Sequence, residues 1–377
     1  MTDELPAPWR EWAAQRPEFR GSHFDSAAAG RCSSAVLHAV AAHALLEAQA
    51  GAYVAEQAAE PVLAAGRADL AGLLGVPADG VAFVESASVA LATLLSAWPF
   101  RSGDTIAVAA SEWGPNLQAF SLRGMTTVDL TTDGDGRLDL DALERLLART
   151  PPAAVALTQV AAHRGLVQPV AEAAALCRAA GVPLCVDAAQ ALGHVDTATG
   201  ADVLYATSRK WLTGPRGVGV LAVAQRWWSA LEVHAPVLSP GGRPIVHGLE
   251  SREAHVAGRV GLCTAVREHV AAGPPAVWRR LDDVGRLTRE TLAGLRGWQV
   301  VDVAEGSGAI TALRPSDGQD VTGVRARLLA EHGILTTASL PIRAPRDMAT
   351  PLLRISPHVD CTADALLRLR AALSRER

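Results

Sequence analysis

The sequence predicts an α/β protein with one seven-stranded, mostly parallel sheet, helices on both faces, and a smaller C-terminal α/β unit. Three observations predict it. Between residues 81 and 223, seven short apolar runs alternate with helical stretches, which is the pattern of βαβ units. Beyond residue 299 a second, shorter set of strands and helices follows a long helical stretch. A chain of 377 residues with 49% hydrophobic content can fill two cores. The expected organisation is an N-terminal arm over 1–24 that joins the small domain, a large domain over 25–255 and a small domain over 256–377.

Residues 1–22 hold a short amphipathic segment with Trp9, Trp12 and Phe19, broken at Pro17. It reads either as a helix docked on the body or as an arm reaching a second subunit. Asp25-Ser-Ala-Ala28-Ala-Gly30 is small enough for close backbone approach. Helical periodicity covers 33–50 and 61–74, the second stopped by Gly75 and Pro77. A strand at 81–84 runs into Glu85-Ser86-Ala87-Ser88, where a helix starts. Free N–H groups and the helix dipole there suit a phosphate, and simple serine capping explains one serine equally well.

The next strand, 105–109, delivers Ser111-Glu112-Trp113-Gly-Pro-Asn116. A strand at 126–130, a turn at 133–136 and a helix over 139–149, begun by Asp139, come after it. The strand 154–160 ends in Ala161-Ala162-His163-Arg164-Gly165, and a helix then runs to residue 180. Strands at 183–186 and 202–206 deliver Asp187 and the Thr207–Lys210 step, and 217–223 completes the set. Ligands of open α/β sheets sit at the carboxyl ends of strands, so these side chains share one crevice. The glycines from 214 to 219 precede a strand instead of following one, which excludes a dinucleotide loop. A Pro/Gly-rich stretch over 236–244 and the loop His247–Arg252 lead to a helical pattern over 261–295, interrupted at 273–275. Strands near 299–303, 309–313 and 334–337 and helices over 321–332 and 362–373 make the small unit. Leu352-Leu-Arg354-Ile-Ser356-Pro-His358 precedes the last helix.

Lys210 is the only lysine in a chain with 34 arginines. Arginine replaces lysine at a solvated ion pair, but not where an amine must lose its proton and attack a carbonyl. Lys210 is therefore the candidate Schiff-base former, and Asp187 is the carboxylate expected to face it. Arg209, with Thr207 or Ser208, offers charge and hydroxyls for a phosphate.

Asp187-Ala-Ala-Gln190 and Thr207-Ser-Arg209-Lys210-Trp-Leu-Thr-Gly214-Pro215-Arg-Gly217 resemble the D-x-x-Q and S-x-H-K-x-x-x-G-P-x-G steps of the class V aminotransferase family. These are fold type I pyridoxal phosphate (PLP) enzymes, including cysteine desulfurases and isopenicillin N epimerase. The resemblance implies PLP as cofactor and a homodimer with the site at the subunit interface. It implies that Asp187 holds the pyridinium proton, Gln190 bonds the ring hydroxyl and Trp113 covers the ring from the position of the family's histidine. The phosphate would fall to Ser88, the Ala87 N–H, Thr207 and Arg209, with Ser251 or Arg252 of the neighbouring chain. Ser86 and Ala87 depart from the family's usual glycine and threonines. On the substrate side the resemblance implies Ala28 at the entrance, His163 and Arg164 at the site, and Arg354, in its R-x-S segment, forking the α-carboxylate. An indole moves no protons, so Lys210 and His163 are the candidates for catalytic proton transfer.

A desulfurase needs a mobile cysteine before its carboxylate-binding arginine. None lies between residues 334 and 354, and Cys361 comes after Arg354. The expected activity is therefore β-elimination from a cysteine S-conjugate by a carbon–sulfur lyase, with a desulfurase-like enzyme, an epimerase, an aminotransferase or a non-catalytic PLP-binding regulator as alternatives. A net charge of −4 with no basic block argues against nucleic acid and anionic membranes as partners, leaving a small amino-acid-derived substrate. No apolar run approaches a membrane span. The five cysteines form no C-x-x-C pair or metal-ligand set, and with the acidic N-terminus they suit a reducing cytoplasm.

Overall fold

Strand residues in the centre of this chain are apolar on both sides, and the fold covers both sides. The computed structural model describes residues 5–233, 244–301, 308–316 and 318–376. After a helix α1 (Ala7–Ala14), β1 (Ser22–His23) and two long helices, α2 (Ser34–Ala50) and α3 (Ala52–Leu74), the chain enters the large sheet. Its strands are β2 (Val81–Val84), β3 (Thr105–Val108), β4 (Thr126–Asp129), β5 (Ala154–Thr158), β6 (Leu184–Asp187), β7 (Val203–Thr207) and β8 (Gly219–Val223). Their spatial order is β2-β8-β7-β6-β5-β3-β4, and β8 alone runs antiparallel to its neighbours.

Alternate residues feed two cores. Phe83, Ala107, Val155, Leu157, Val186 and Leu204 point to one, and Val84, Ile106, Ala156, Cys185, Tyr205 and Leu221 to the other. The first is closed by α3, α6 (Leu140–Arg149), α7 (Val170–Ala180) and α8 (Val256–Ala272), the second by α4 (Ala87–Ala97) and α5 (Gly114–Leu122). Two-faced burial is why these strands read as unbroken apolar runs. Asp139 caps α6 as expected, its Oδ1 accepting from the Ala142 N–H at 2.9 Å.

After α8, the helix α9 (Pro274–Leu292) leads to β9 (Trp298–Val300), β10 (Thr311–Pro315), α10 (Val321–His332), β11 (Ile334–Leu335), β12 (Thr337–Ser339), β13 (Leu352–Ile355) and α11 (Ala363–Leu373). The second sheet is antiparallel, ordered β12-β13-β10-β9, and packs on α9, α10 and α11. β1 pairs in parallel with β11 in a separate two-stranded sheet, which ties the N-terminal segment to the chain between α10 and β12.

Local readings needed correction in three places. The helix expected over 61–74 begins at Ala52 and carries Pro61 inside it. The strand expected over 334–337 is two short strands in different sheets, parted at the buried Thr336. Residues 352–355, read only as a motif, form a central strand of the small sheet. The Pro/Gly-rich stretch lies outside the described residues up to 243, as do positions 302 and 303 of the strand expected there.

Candidate active site

Five strands of the large sheet end at one cleft. It is lined by Ser86, Ala87 and Ser88 after β2, Trp113 and Asn116 after β3, and Thr158 and Ala162 at the end of β5. Asp187, Ala189 and Gln190 come from β6, and Thr207, Arg209 and Lys210 from β7. Its volume is about 600 Å³ counted to the open mouth.

The carboxylate is fixed at both oxygens. Asp187 Oδ1 accepts from the Ala189 N–H at 2.8 Å, and Oδ2 from Asn116 Nδ2 at 2.9 Å. Each oxygen keeps a further acceptor position, so the group stays competent to hold a ligand N–H. Asn116 is itself held by Glu112 Oε1 at 2.8 Å, which also accepts from Thr158 Oγ1 at 2.9 Å. Glu112 is fully buried, and burial next to the charge of Asp187 pushes its carboxyl up to about 7. Glu112 and Asn116 appeared in the sequence only as parts of a loop motif; their four-residue spacing was the available signal.

Lys210 is half-buried and its amine makes no hydrogen bond among the described residues. Burial brings its pKa down to about 7, with Arg209, Arg354 and Arg343 adding like charge and Asp187 opposing. The turn carrying it is clamped. A Cβ on Gly30 would lie 2.3 Å from the Lys210 carbonyl, so only glycine fits there. Thr213 holds a positive φ of 53°, and its Oγ1 accepts from Arg16 Nη2 at 3.1 Å. Behind Lys210, Trp211 is completely buried, donates from Nε1 to Gln190 Oε1 at 2.9 Å and stacks on His194 at 3.9 Å between ring centroids.

Gln190 also donates to the Ala27 carbonyl at 2.9 Å, which leaves one amide N–H for a ligand. Ser86 caps α4 by accepting from the Val89 N–H, so the free hydroxyl at that helix end is the exposed Ser88. The Ser208 hydroxyl is tied to the Pro215 carbonyl, which leaves Thr207 as the hydroxyl lining the cleft. Arg209 is half-buried with no hydrogen bond from its guanidinium among the described residues. An amine of lowered pKa, an oriented carboxylate, an aromatic ring, and a helix N-terminus beside an unengaged arginine form the donor set that PLP needs.

Arg354 is fully buried on β13, donating from Nη1 to the Ala162 carbonyl at 2.8 Å. Its Nη2 lies 3.5 Å from Asp25 Oδ1 and its Nε has no partner. Arg354 does not itself line the cleft, and other expected residues are not brought to it either. His163 and Arg164 both bond Asp347 Oδ2, at 2.7 and 3.0 Å, and line a neighbouring cavity with Met348. Ala28 lies beside the cleft in the Asp25–Gly30 loop, its N–H bonded to the Asp25 carbonyl at 2.9 Å. Ser251 is exposed beyond Glu250, whose carboxylate pairs with Arg67 at 2.6 Å and Arg259 at 3.2 Å.

All five cysteines are free thiols. None lines the cleft, and burial pushes every one of them up, Cys361 to about 12.

Residues 22–352 match the sequence profile described as aminotransferase class-V. The chain is 47% identical to a probable hercynylcysteine sulfoxide lyase of Mycobacterium tuberculosis (strain CDC 1551 / Oshkosh), over 97% of this chain and 94% of that one. It is 28% identical to an isopenicillin N epimerase of Amycolatopsis lactamdurans, over 83% and 84% of the two chains. Among solved structures, the apo cysteine desulfurase from Thermococcus onnurineus NA1 superposes with a TM-score of 0.86 at 20% identity, covering 98% of each chain.

Proposed function

Since the chain belongs to the class V aminotransferase family, whose cofactor is pyridoxal phosphate, we propose that it is a carbon–sulfur lyase acting on hercynylcysteine sulfoxide. Bound in the cleft, the cofactor supplies an electron sink for the charge that develops at the substrate Cα. Lys210 would hold it covalently, and its freed Nζ would take the substrate Cα proton. The Asp187 carboxylate, set by Asn116 and the Ala189 N–H, holds the ring N–H. Gln190 gives its remaining amide N–H to the ring hydroxyl, and Trp113 covers the ring face. Ser88, the Ala87 N–H, Thr207 and Arg209 take the phosphate. Arg354 takes the substrate α-carboxylate, which replaces Asp25 in its fork.

As the proton leaves Cα, the Cβ–S bond breaks and its electron pair departs on sulfur, releasing a sulfenate. The three-carbon remainder takes up water and leaves as pyruvate and ammonia. A reductant then converts the sulfenate to ergothioneine. We further propose a homodimer in a cytoplasmic setting, in keeping with five unpaired thiols, with Ser251 of one chain near the other chain's phosphate.

The observation that carries this reading is the placement of the cysteines. With four thiols buried, Cys32 half-buried and none of the five lining the cleft, a persulfide has no acceptor there, which favours elimination. Incubation with hercynylcysteine sulfoxide and a thiol reductant should release pyruvate and ergothioneine in equal amounts. Pyruvate from other cysteine conjugates but none from this one would remove the substrate assignment, and alanine formation would remove the lyase.

A further inference from the structure

Arg343 is a half-buried guanidinium near the cleft to which no role has been given. It ends a short turn, Pro341–Arg343, that sits directly on the start of α5. A Cβ on Gly114 would come within 2.0 Å of the Ile342 carbonyl, so the turn lies flush against the residue following Trp113. The guanidinium carbon is 5.8 Å from the centroid of the Trp113 ring, which lines the cleft.

The segment is rigidly based. Three residues on, Arg346 bonds Asp129 Oδ1 at 2.5 Å and Thr127 Oγ1 at 2.6 Å, and Asp347 holds both His163 and Arg164. Arg343 itself makes no hydrogen bond or ion pair among the described residues, although it is half-buried. Asp25 is the acid that attracts it, and Asp25 Oδ1 is already engaged by Thr337 and Arg354. A partly desolvated guanidinium beside two other arginines and a lysine is costly unless an anion joins it. Arg354 and Arg209 have anions assigned to them, the α-carboxylate and the phosphate, and Arg343 has none.

We propose that Arg343 is a specificity-determining residue that binds a second acid group, carried on the sulfur-linked half of the substrate. The matching ligand is a cysteine S-oxide whose leaving half bears its own carboxylate, as a histidine betaine does. A planar fork suits a carboxylate bidentately. The inference rests on the lyase reading for the existence of a leaving half, but not for the affinity of the anion.

The test uses the holoenzyme and two conjugates of cysteine S-oxide, one with a free carboxylate on the leaving half and one with that group as a carboxamide. Wild-type protein should prefer the acid by roughly 10- to 100-fold in kcat/KM, expressed mainly in KM. Arg343→Ala should reduce the preference to within about threefold, and Arg343→Lys should retain an intermediate part of it. Histidine betaine alone, titrated against cofactor absorbance, should bind wild-type protein at least roughly tenfold better than its amide, and Arg343→Ala should erase the difference. An unchanged preference in the alanine variant overturns the proposal. Equal losses on both conjugates also overturn it, since Arg343 would then serve the α-carboxylate or the fold. If no S-oxide is cleaved at all, the lyase reading fails, and the betaine titration still decides the role of Arg343.

Discussion

Lys210 and Glu112 are two ionisable side chains whose charged forms this fold disfavours, and the two can be read out at different steps. The Lys210 amine, brought down to about 7, must be neutral to attack the cofactor carbonyl. The rate of cofactor capture by the apoprotein should therefore rise with pH through about 7 and level off above it, followed by the absorbance of the bound cofactor. A midpoint near that of free lysine would show that the site does not tune the amine. Lys210→Arg, which keeps the charge but cannot deprotonate, should lose roughly a thousandfold or more of the activity. Glu112 works in the opposite sense. Its carboxyl is raised to about 7 from 4.5, so between those values the folded state binds more protons than the unfolded one. The stability contribution is full below pH about 4.5 and is lost as pH rises to about 7. Apoprotein carrying Glu112→Gln should thus gain stability relative to wild type as pH rises across that window, in paired thermal melts. A constant difference would mean that Glu112 ionises normally.

Between elements, the Lys210 turn is supported by a ladder of rings that begins in the first helix. Arg16 lies 3.6 Å from the Trp12 ring, and Trp12 stacks on His358 at 5.3 Å. His358 follows Trp211 at 6.0 Å and donates from Nε2 to its carbonyl at 3.1 Å. His194 accepts from the Ala309 N–H at 2.8 Å, so its other nitrogen carries the proton and donates to the Gln190 carbonyl. Replacing Trp12 by alanine should cost about 3 kcal/mol of stability, as for a buried tryptophan, and should also speed cofactor loss because the turn behind Lys210 loosens. Denaturant unfolding and a cofactor-release assay check the pair; a stability loss with unchanged release would confine α1 to packing. None of this ladder was legible in the sequence beyond Trp9 and Trp12 as an amphipathic face. What the sequence did reveal was local: strands buried on both sides read as apolar runs, and the residues directly after them read as site residues. Relations between distant positions stayed hidden, such as Asn116 with Asp187, which are 71 residues apart, or Asp347 drawing His163 aside. The start of α3 was missed because Pro61 reads as a helix boundary, although the helix runs through it.

At the scale of the whole molecule, one chain lines the proposed phosphate end of its cleft with Ser88, Thr207 and Arg209, while no residue of the Glu250–Arg252 loop lines it. That loop is not slack. Glu250 accepts from the Phe83 N–H at 3.0 Å as well as pairing with Arg67 and Arg259, which holds Ser251 outward in a cavity shared with α4. A loop fixed in this way can serve a second copy of the chain, as the proposed homodimer requires, and the consequence is measurable by mass action. The protein should sediment at about twice 39.3 kDa, and cofactor release should quicken once dilution separates the chains. Glu250→Ala, which frees the loop, should weaken cofactor retention by roughly tenfold through the lost phosphate contact. It should do so most strongly at concentrations where the dimer persists, because a separated chain has already lost that contact. A monomer that keeps its cofactor with undiminished affinity would place the whole phosphate site within a single chain and exclude a contribution from Ser251 of the neighbouring one.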